Sequence, residues 1–171
     1  YTKFNRFIGL FNTGSELFHL HEGEDDAEGM SVFQYRSVGA TFKGIEFDGV
    51  YKINDQFNFS YRGDYVRAEQ DNGDELPRIS PLRLGATIDY TNNRFFARLD
   101  VLRAFSQDNI GANELETDGY TNLSAFASYQ LPVEYDIQFF MKGRNLLDQE
   151  IRDHSSFMKD KFLRAGRSVL F

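Results

Sequence analysis

Leu82–Val101 reads LRLGATIDYTNNRFFARLDV, and its pattern decides the fold. Leu82, Leu84, Ala86, Ile88 and Tyr90 occupy every second position, with Arg83, Gly85, Thr87 and Asp89 between them. A period of two sends the two sets to opposite faces of an extended chain, giving a strand with one apolar and one polar face. Thr91-Asn92-Asn93 breaks the run as a tight turn. Phe95, Ala97, Leu99 and Val101 then alternate with Phe96, Arg98 and Asp100.

The same rhythm extends in both directions. Toward the N-terminus, Phe57, Phe59, Tyr61 and Tyr65 alternate with Asn58, Ser60, Arg62 and Asp64, and Phe33, Tyr35, Ile45, Phe47 and Tyr51 hold odd positions between 31 and 52. An aromatic run, Tyr1 to Phe11, ends at the turn signal Asn12-Thr13-Gly14. Toward the C-terminus come Leu123 to Leu131, then Ile137, Phe139 and Met141, and a last run opens at Arg167 and stops at Phe171. Eight runs result, at 1–12, 31–52, 55–67, 82–91, 94–106, 120–131, 135–146 and 167–171. The pattern blurs from Leu102 to Phe105, as a bulge or the end of an apolar environment would make it.

The connections alternate: long at 13–30, short at 53–55, long at 68–80, short at 91–93, long at 107–119, short at 132–134, long at 147–166. In an antiparallel up-and-down meander, alternate connections lie at opposite ends. The long loops therefore share one end and the tight turns the other.

Composition narrows the class. Aromatics make up 16% of the 171 residues, which suits half-buried pleated surface. Cysteine is absent, so neither a disulfide framework nor a thiolate metal site is available. A net charge of −7 argues against a nucleic-acid partner, which needs a basic face. A mean hydropathy of −0.50 excludes a spanning helix but not a spanning barrel, whose strands are apolar only at alternate positions.

Alternation alone leaves open which face is wet. A soluble β-sandwich turns its apolar face inward, whereas an outer-membrane barrel turns it to lipid. Charges of both signs deep in the strands (Glu46, Asp48, Arg62, Asp64, Arg83, Asp89, Arg98, Asp100, Lys142 and Arg144) suit a water-filled or plugged lumen. Tyr51, Tyr90 and Tyr135 beside the short turns suit an interfacial aromatic girdle.

Asn145–Asp160, NLLDQEIRDHSSFMKD, followed by Ala165-Gly166-Arg167-Ser168, resembles the C-terminal signature of TonB-dependent outer-membrane receptors. ATFKGIEFDGVYKI (Ala40–Ile53), LPRISPLRLG (Leu76–Gly85) and DGYTNLSAFASYQL (Asp118–Leu131) are similar to further strands of that family, in the same order. NRFIGLFNTG (Asn5–Gly14) fits the strand before a substrate loop.

The resemblance implies an all-β chain whose residues 1–171 are the C-terminal part of a receptor barrel, about eight strands of about 22. The plug domain and earlier strands are not in this sequence, and the closing run ends short of the family's last strand. It further implies a transporter rather than an enzyme, set in the lipid of a Gram-negative outer membrane. That transporter is energised by TonB and its inner-membrane complex through the plug, and it requires no cofactor. HSSFMKD (His154–Asp160) with its Gly-Arg-Ser is most similar to the zinc-uptake branch, so zinc is expected as cargo.

One metal-like cluster stands out, HLHEGEDD. His19 and His21 are two apart, so in extended chain both imidazoles point the same way, and Glu22, Glu24, Asp25 and Asp26 supply carboxylates. The plain alternative is a solvated acidic loop. His154 is expected to be structural, its ring bonded to loop backbone. Its neighbours Ser155 and Ser156 do not form a nucleophile elbow or a triad. A siderophore or haem receptor would lean instead on the aromatics Phe11 and Phe18.

Overall fold

The computed structural model describes residues 1–18 and 29–171, and forms one antiparallel sheet. Its strands are β1 (Thr2–Phe18), β2 (Gly29–Lys52), β3 (Phe57–Gln70), β4 (Arg83–Asn92), β5 (Phe95–Ala104), β6 (Tyr120–Gln130), β7 (Gln138–Arg144) and β8 (Ser168–Leu170). Each strand pairs with the next, so spatial order equals chain order. This is the all-β meander expected of a barrel segment.

The largest departure from the sequence reading is at the end of β1. The signal Asn12-Thr13-Gly14 does not end β1; it makes a bulge, with a register shift between Asn12 and Glu16. Gly14 adopts φ +75°, its N–H donates to Asn12 Oδ1 at 2.9 Å, and Thr13 Oγ1 donates to Val32 O at 2.9 Å. A glycine able to take positive φ helps absorb the two extra residues, and pairing resumes to Phe18↔Gly29. β1 and β2, at 17 and 24 residues, exceed the roughly 10 that cross a bilayer, and so project past it at the long-loop end.

Register puts Ile45, Phe47, Tyr61, Tyr65, Leu84, Ile88, Leu99, Val101, Ala125 and Met141 on one face. Ile45 is 66% exposed, Leu99 46% and Met141 53%. A sandwich would cover this face with a second sheet, but all eight strands lie in one sheet. At the short-turn end the same face carries the cross-strand pairs Tyr51↔Phe59, Phe57↔Tyr90, Phe95↔Tyr129 and Tyr129↔Phe139, a row of amphipathic rings. This is the surface a barrel turns to lipid.

On the opposite face six of the strand charges pair with one another, while Glu46, Asp48, Lys142 and Arg144 make no ion pair among the described residues. Arg83 bridges Asp64 at 3.0 Å and Arg98 bridges Asp89 at 2.6 Å, both directly across a strand pair. Arg62 instead crosses β4 to reach Asp100 at 3.2 Å, where Thr87 Oγ1 also donates at 2.7 Å. Gly85 makes that crossing possible, since a Cβ there would stand 2.8 Å from Arg62 Nε. Such half-exposed pairs contribute under about 1 kcal/mol each; their effect is to neutralise the wall. Phe96, Phe126 and Phe140 interrupt the polar face with rings 6.0 and 6.4 Å apart.

The apolar core lies on this inner side at the long-loop end. Phe11, Ala40, Ala68 and Leu76 pack together with Phe7, Val38, Phe42 and Ile79, so the β3–β4 loop folds back over the sheet. Leu76 N–H donates to Ala68 O at 2.8 Å, fixing the fold-back.

The assignment of faces predicts opposite responses to one substitution. Leu99→Arg should lower the stability of the intact receptor folded into lipid vesicles by about 2–4 kcal/mol, and Ser60→Arg on the inner face by far less. Equal losses in denaturant titrations would refute the assignment.

Candidate functional site

The long loops meet at one end and are tied to each other. Arg78, in the β3–β4 loop, takes φ 60° and donates its guanidinium to Leu10 O on β1. A left-handed arginine costs about 1–2 kcal/mol, which its two inter-loop hydrogen bonds offset. Asn12 Nδ2 donates to Asn113 O at 3.1 Å, joining β1 to the β5–β6 loop, and the Phe33 and Phe157 rings lie 4.6 Å apart. In the last loop Asn145 (φ 47°) and Asp148 (φ 53°) bend the chain as it leaves β7. Asn145 exchanges hydrogen bonds with Gln149, and Asp148 Oδ1 accepts Arg167 N–H at 2.8 Å. Asn and Asp tolerate this conformation best, which gives the NLLD motif a physical meaning.

At the centre is a buried polar knot. Glu114 Oε1 accepts from Lys159 Nζ at 3.0 Å and from Arg78 N–H at 2.9 Å, while Gly111 N–H donates to Glu114 Oε2 at 2.9 Å. His154 Nε2 lies 3.3 Å from Glu114 Oε1, and His154 Nδ1 lies 2.9 Å from Thr117 Oγ1 and 3.2 Å from Lys159 Nζ. The Lys159 ammonium can only donate, so Nδ1 is the accepting nitrogen beside it and Nε2 carries the hydrogen that faces Glu114. Lys159 also donates to Leu115 O at 2.6 Å, and Arg152 holds Lys159 O at 2.7 Å. Burial pushes the Glu114 carboxyl up, but the contacts from His154, Gly111, Lys159 and Arg78 outweigh it and bring the pKa down to about 2.

This knot has no chemistry to offer a substrate, because its donors and acceptors are engaged with each other. His154 is structural as expected, but its partners are the side chains of Thr117, Glu114 and Lys159 rather than loop backbone. Ser156 Oγ accepts Met158 N–H, so it is not paired with a base. Sequence spacing could not assemble the knot, since Glu114 and Thr117 come from one loop and His154 and Lys159 from another. Phe11 is buried under Arg36, whose guanidinium carbon lies 4.3 Å from the ring centroid, and so is not free to stack on a ligand.

His19, His21, Glu22, Glu24, Asp25 and Asp26 lie outside the described residues. Among the described residues no group of three His, Asp or Glu is arranged to hold a metal.

A single sheet with a lipid-type face, a partly ion-paired inner wall and loops knotted at one end defines a segment of a membrane-type β-barrel. A family described as "TonB dependent receptor-like, beta-barrel" matches residues 1–146, and the chain belongs to it. That family consists of transport receptors, not enzymes. Residues 147–171, which carry most of the C-terminal resemblance, fall outside the matched range. Among solved structures, "Copper transporter OprC" superposes with a TM-score of 0.73 at 18% identity, over 95% of this chain and 25% of its own. The chain thus spans about a quarter of that structure's length, and the likeness is one of fold.

Two outcomes follow from the knot. The folded pKa of Glu114 lies below its ordinary 4.5, so its contribution is complete above about pH 4.5 and is lost as pH falls toward 2. With its side chain only 7% exposed, the amount is on the order of 3 kcal/mol. Hydrogen-exchange protection factors, taken relative to the intrinsic rate at each pH, should fall over that window in residues 105–119 and 147–166 of the intact receptor, and protection unchanged from pH 5 to 2 would refute it. Lys159→Met, which strands the Glu114 carboxylate, should loosen the same loops by about 3–5 kcal/mol. Adding Glu114→Gln should restore part of that loss.

Proposed function

We propose that residues 1–171 are the C-terminal part of the barrel of a TonB-dependent receptor that takes up a scarce metal ion across the outer membrane of a Gram-negative bacterium. The observation that carries the reading is the sheet itself, apolar and uncovered outside, ion-paired inside, with its long loops gathered at one end. Family membership supports it. The plug, and the TonB contact made through it, belong to other parts of the whole receptor.

Zinc is the proposed cargo, captured by His19 and His21 with carboxylates from Glu22, Glu24, Asp25 and Asp26. Imidazole nitrogen and carboxylate oxygen suit zinc. The same donors bind Cu²⁺ more tightly, and the structurally similar OprC is a copper transporter, so copper is the rival within this reading. The siderophore or haem alternative is weakened by the burial of Phe11.

The test is calorimetric titration of the intact receptor with Zn²⁺ and Cu²⁺, before and after His19→Ala plus His21→Ala. A loss of at least tenfold in zinc affinity is expected. Unchanged affinity and stoichiometry would remove the capture site, and selective loss of copper binding would reassign the cargo.

A further inference from the structure

The lipid-facing side of the sheet is not smooth. Ala97, Ala125, Ala127 and Gly143 meet there in the cross-strand pairs Ala97↔Ala127 and Ala125↔Gly143, and floor an apolar groove of about 410 Å³. It runs obliquely from Tyr90, at the short-turn end of β4, to Leu146, just past the long-loop end of β7. Leu146 closes that end, since its Cδ2 would stand 2.6 Å from a Cβ on Gly143. At the other end the turn between β4 and β5 carries Arg94, exposed and without an ion pair or side-chain hydrogen bond among the described residues. On the flanking turns Asp55 is taken by Lys52 and Asp136 by Gln130, which leaves Glu134 as their one carboxylate without a partner among the described residues.

We propose that the groove seats one acyl chain of a phospholipid from the periplasmic leaflet, with the lipid phosphate on Arg94. Short turns face the periplasm in such barrels, so the Arg94 end lies among that leaflet's headgroups. The side chains on this side of the groove offer hydrocarbon, and the one hydroxyl, on Tyr90, already accepts from Asn92 at 3.2 Å. A polar partner set here finds neither protein donors nor water. An unfilled groove forfeits the dispersion contacts of its walls, whereas a chain lying in it is contacted on several sides. Burial of hydrocarbon does not by itself select an occupant in a bilayer, because lipid tails are as apolar as the wall. Arg94 supplies the selection, since a guanidinium donates to two phosphate oxygens at once and holds the head while the groove orders the tail. The proposal rests on the lipid-facing assignment of this side and is independent of the cargo.

The test is native mass spectrometry of the intact receptor, extracted in mild detergent and titrated with phosphatidylethanolamine. The wild type is expected to bind it, and Ala125→Phe, which fills the groove, to weaken that binding about tenfold or more. Arg94→Gln should weaken it severalfold with the tail site intact. Ala86→Phe, on the same side but outside the groove, should leave it unchanged. The heat-modifiable gel shift shows whether each variant has folded, and Ala127→Val, a smaller filling, takes the place of Ala125→Phe if that variant has not. The proposal is overturned if the wild type binds no phosphatidylethanolamine, or if the groove variants bind it equally well. It is also overturned if Ala86→Phe weakens binding as much as Ala125→Phe, the mark of an unselective lipid annulus. Displacement of the phospholipid by lipopolysaccharide would overturn the assignment to the periplasmic leaflet. A wild-type dimer that Ala125→Phe splits would give the groove to a second copy of the chain and overturn it too. The lipid-facing assignment is read separately by Leu99→Arg, and metal capture by the His19 and His21 variants, so each idea fails on its own measurement.

Discussion

Inside a bilayer no water is available to backbone N–H and C=O groups, so each must find a partner in the protein. That constraint accounts for the arrangement of the whole sheet. A meander meets it by pairing each strand with its neighbour in unbroken register, as β2 through β6 do over nearly their full length. Once register is fixed, the two-residue period fixes the faces, and a slip by one residue would turn Asp89 and Arg98 to lipid and Ile88 and Leu99 to the lumen. The bulge at Asn12–Gly14 occurs where β1 has already passed into the loop region, and there hydrogen bonds from Thr13 and Gly14 replace the lost ladder contacts.

Within that frame, glycines decide which side chains may cross between strands. Gly85 on the inner face lets Arg62 reach over β4 to Asp100, linking three strands where a direct pair would link two. On the outer face the Phe47 ring lies over Gly63 and the Tyr61 ring over Gly49. The sheet is thus tied across strands by charge inside and by aromatic cover outside. Glu46, Asp48, Lys142 and Arg144 make no ion pair among the described residues and are not part of this scheme.

The strands were legible because one rule, a period of two, governs all of them. From Leu82 to Val101 every residue falls on the face its parity assigns. Phe96 was placed on the polar face by parity although its chemistry suggested the other, and the structure puts Phe126 and Phe140 on that face with it. The error at Asn12-Thr13-Gly14 arose because turn chemistry and bulge chemistry use the same residues; only the partner strand distinguishes them. The knot was illegible for a different reason. Glu114 and Lys159 are separated by a strand pair and a loop, and no local pattern signals their contact. His154 alone was visible, through a resemblance rather than through its surroundings. The histidines and carboxylates at 19–26 stand as sequence chemistry on its own.

The knot bears on those residues all the same. The segment 19–28 leaves from Phe18 and returns at Gly29, which pair with each other. Farther down the same hairpin, β1 is held by Arg78 at Leu10 and by Asn113 at Asn12, and β2 by Phe157 at Phe33. Arg78 is in turn held through its N–H by Glu114, and Phe157 belongs to the loop that carries His154 and Lys159. Three loops therefore brace the stalk on which the proposed capture residues stand, and Glu114 is the group they share. A carboxylate with a strongly lowered pKa suits that place, because it stays ionised over the whole range in which imidazole changes charge.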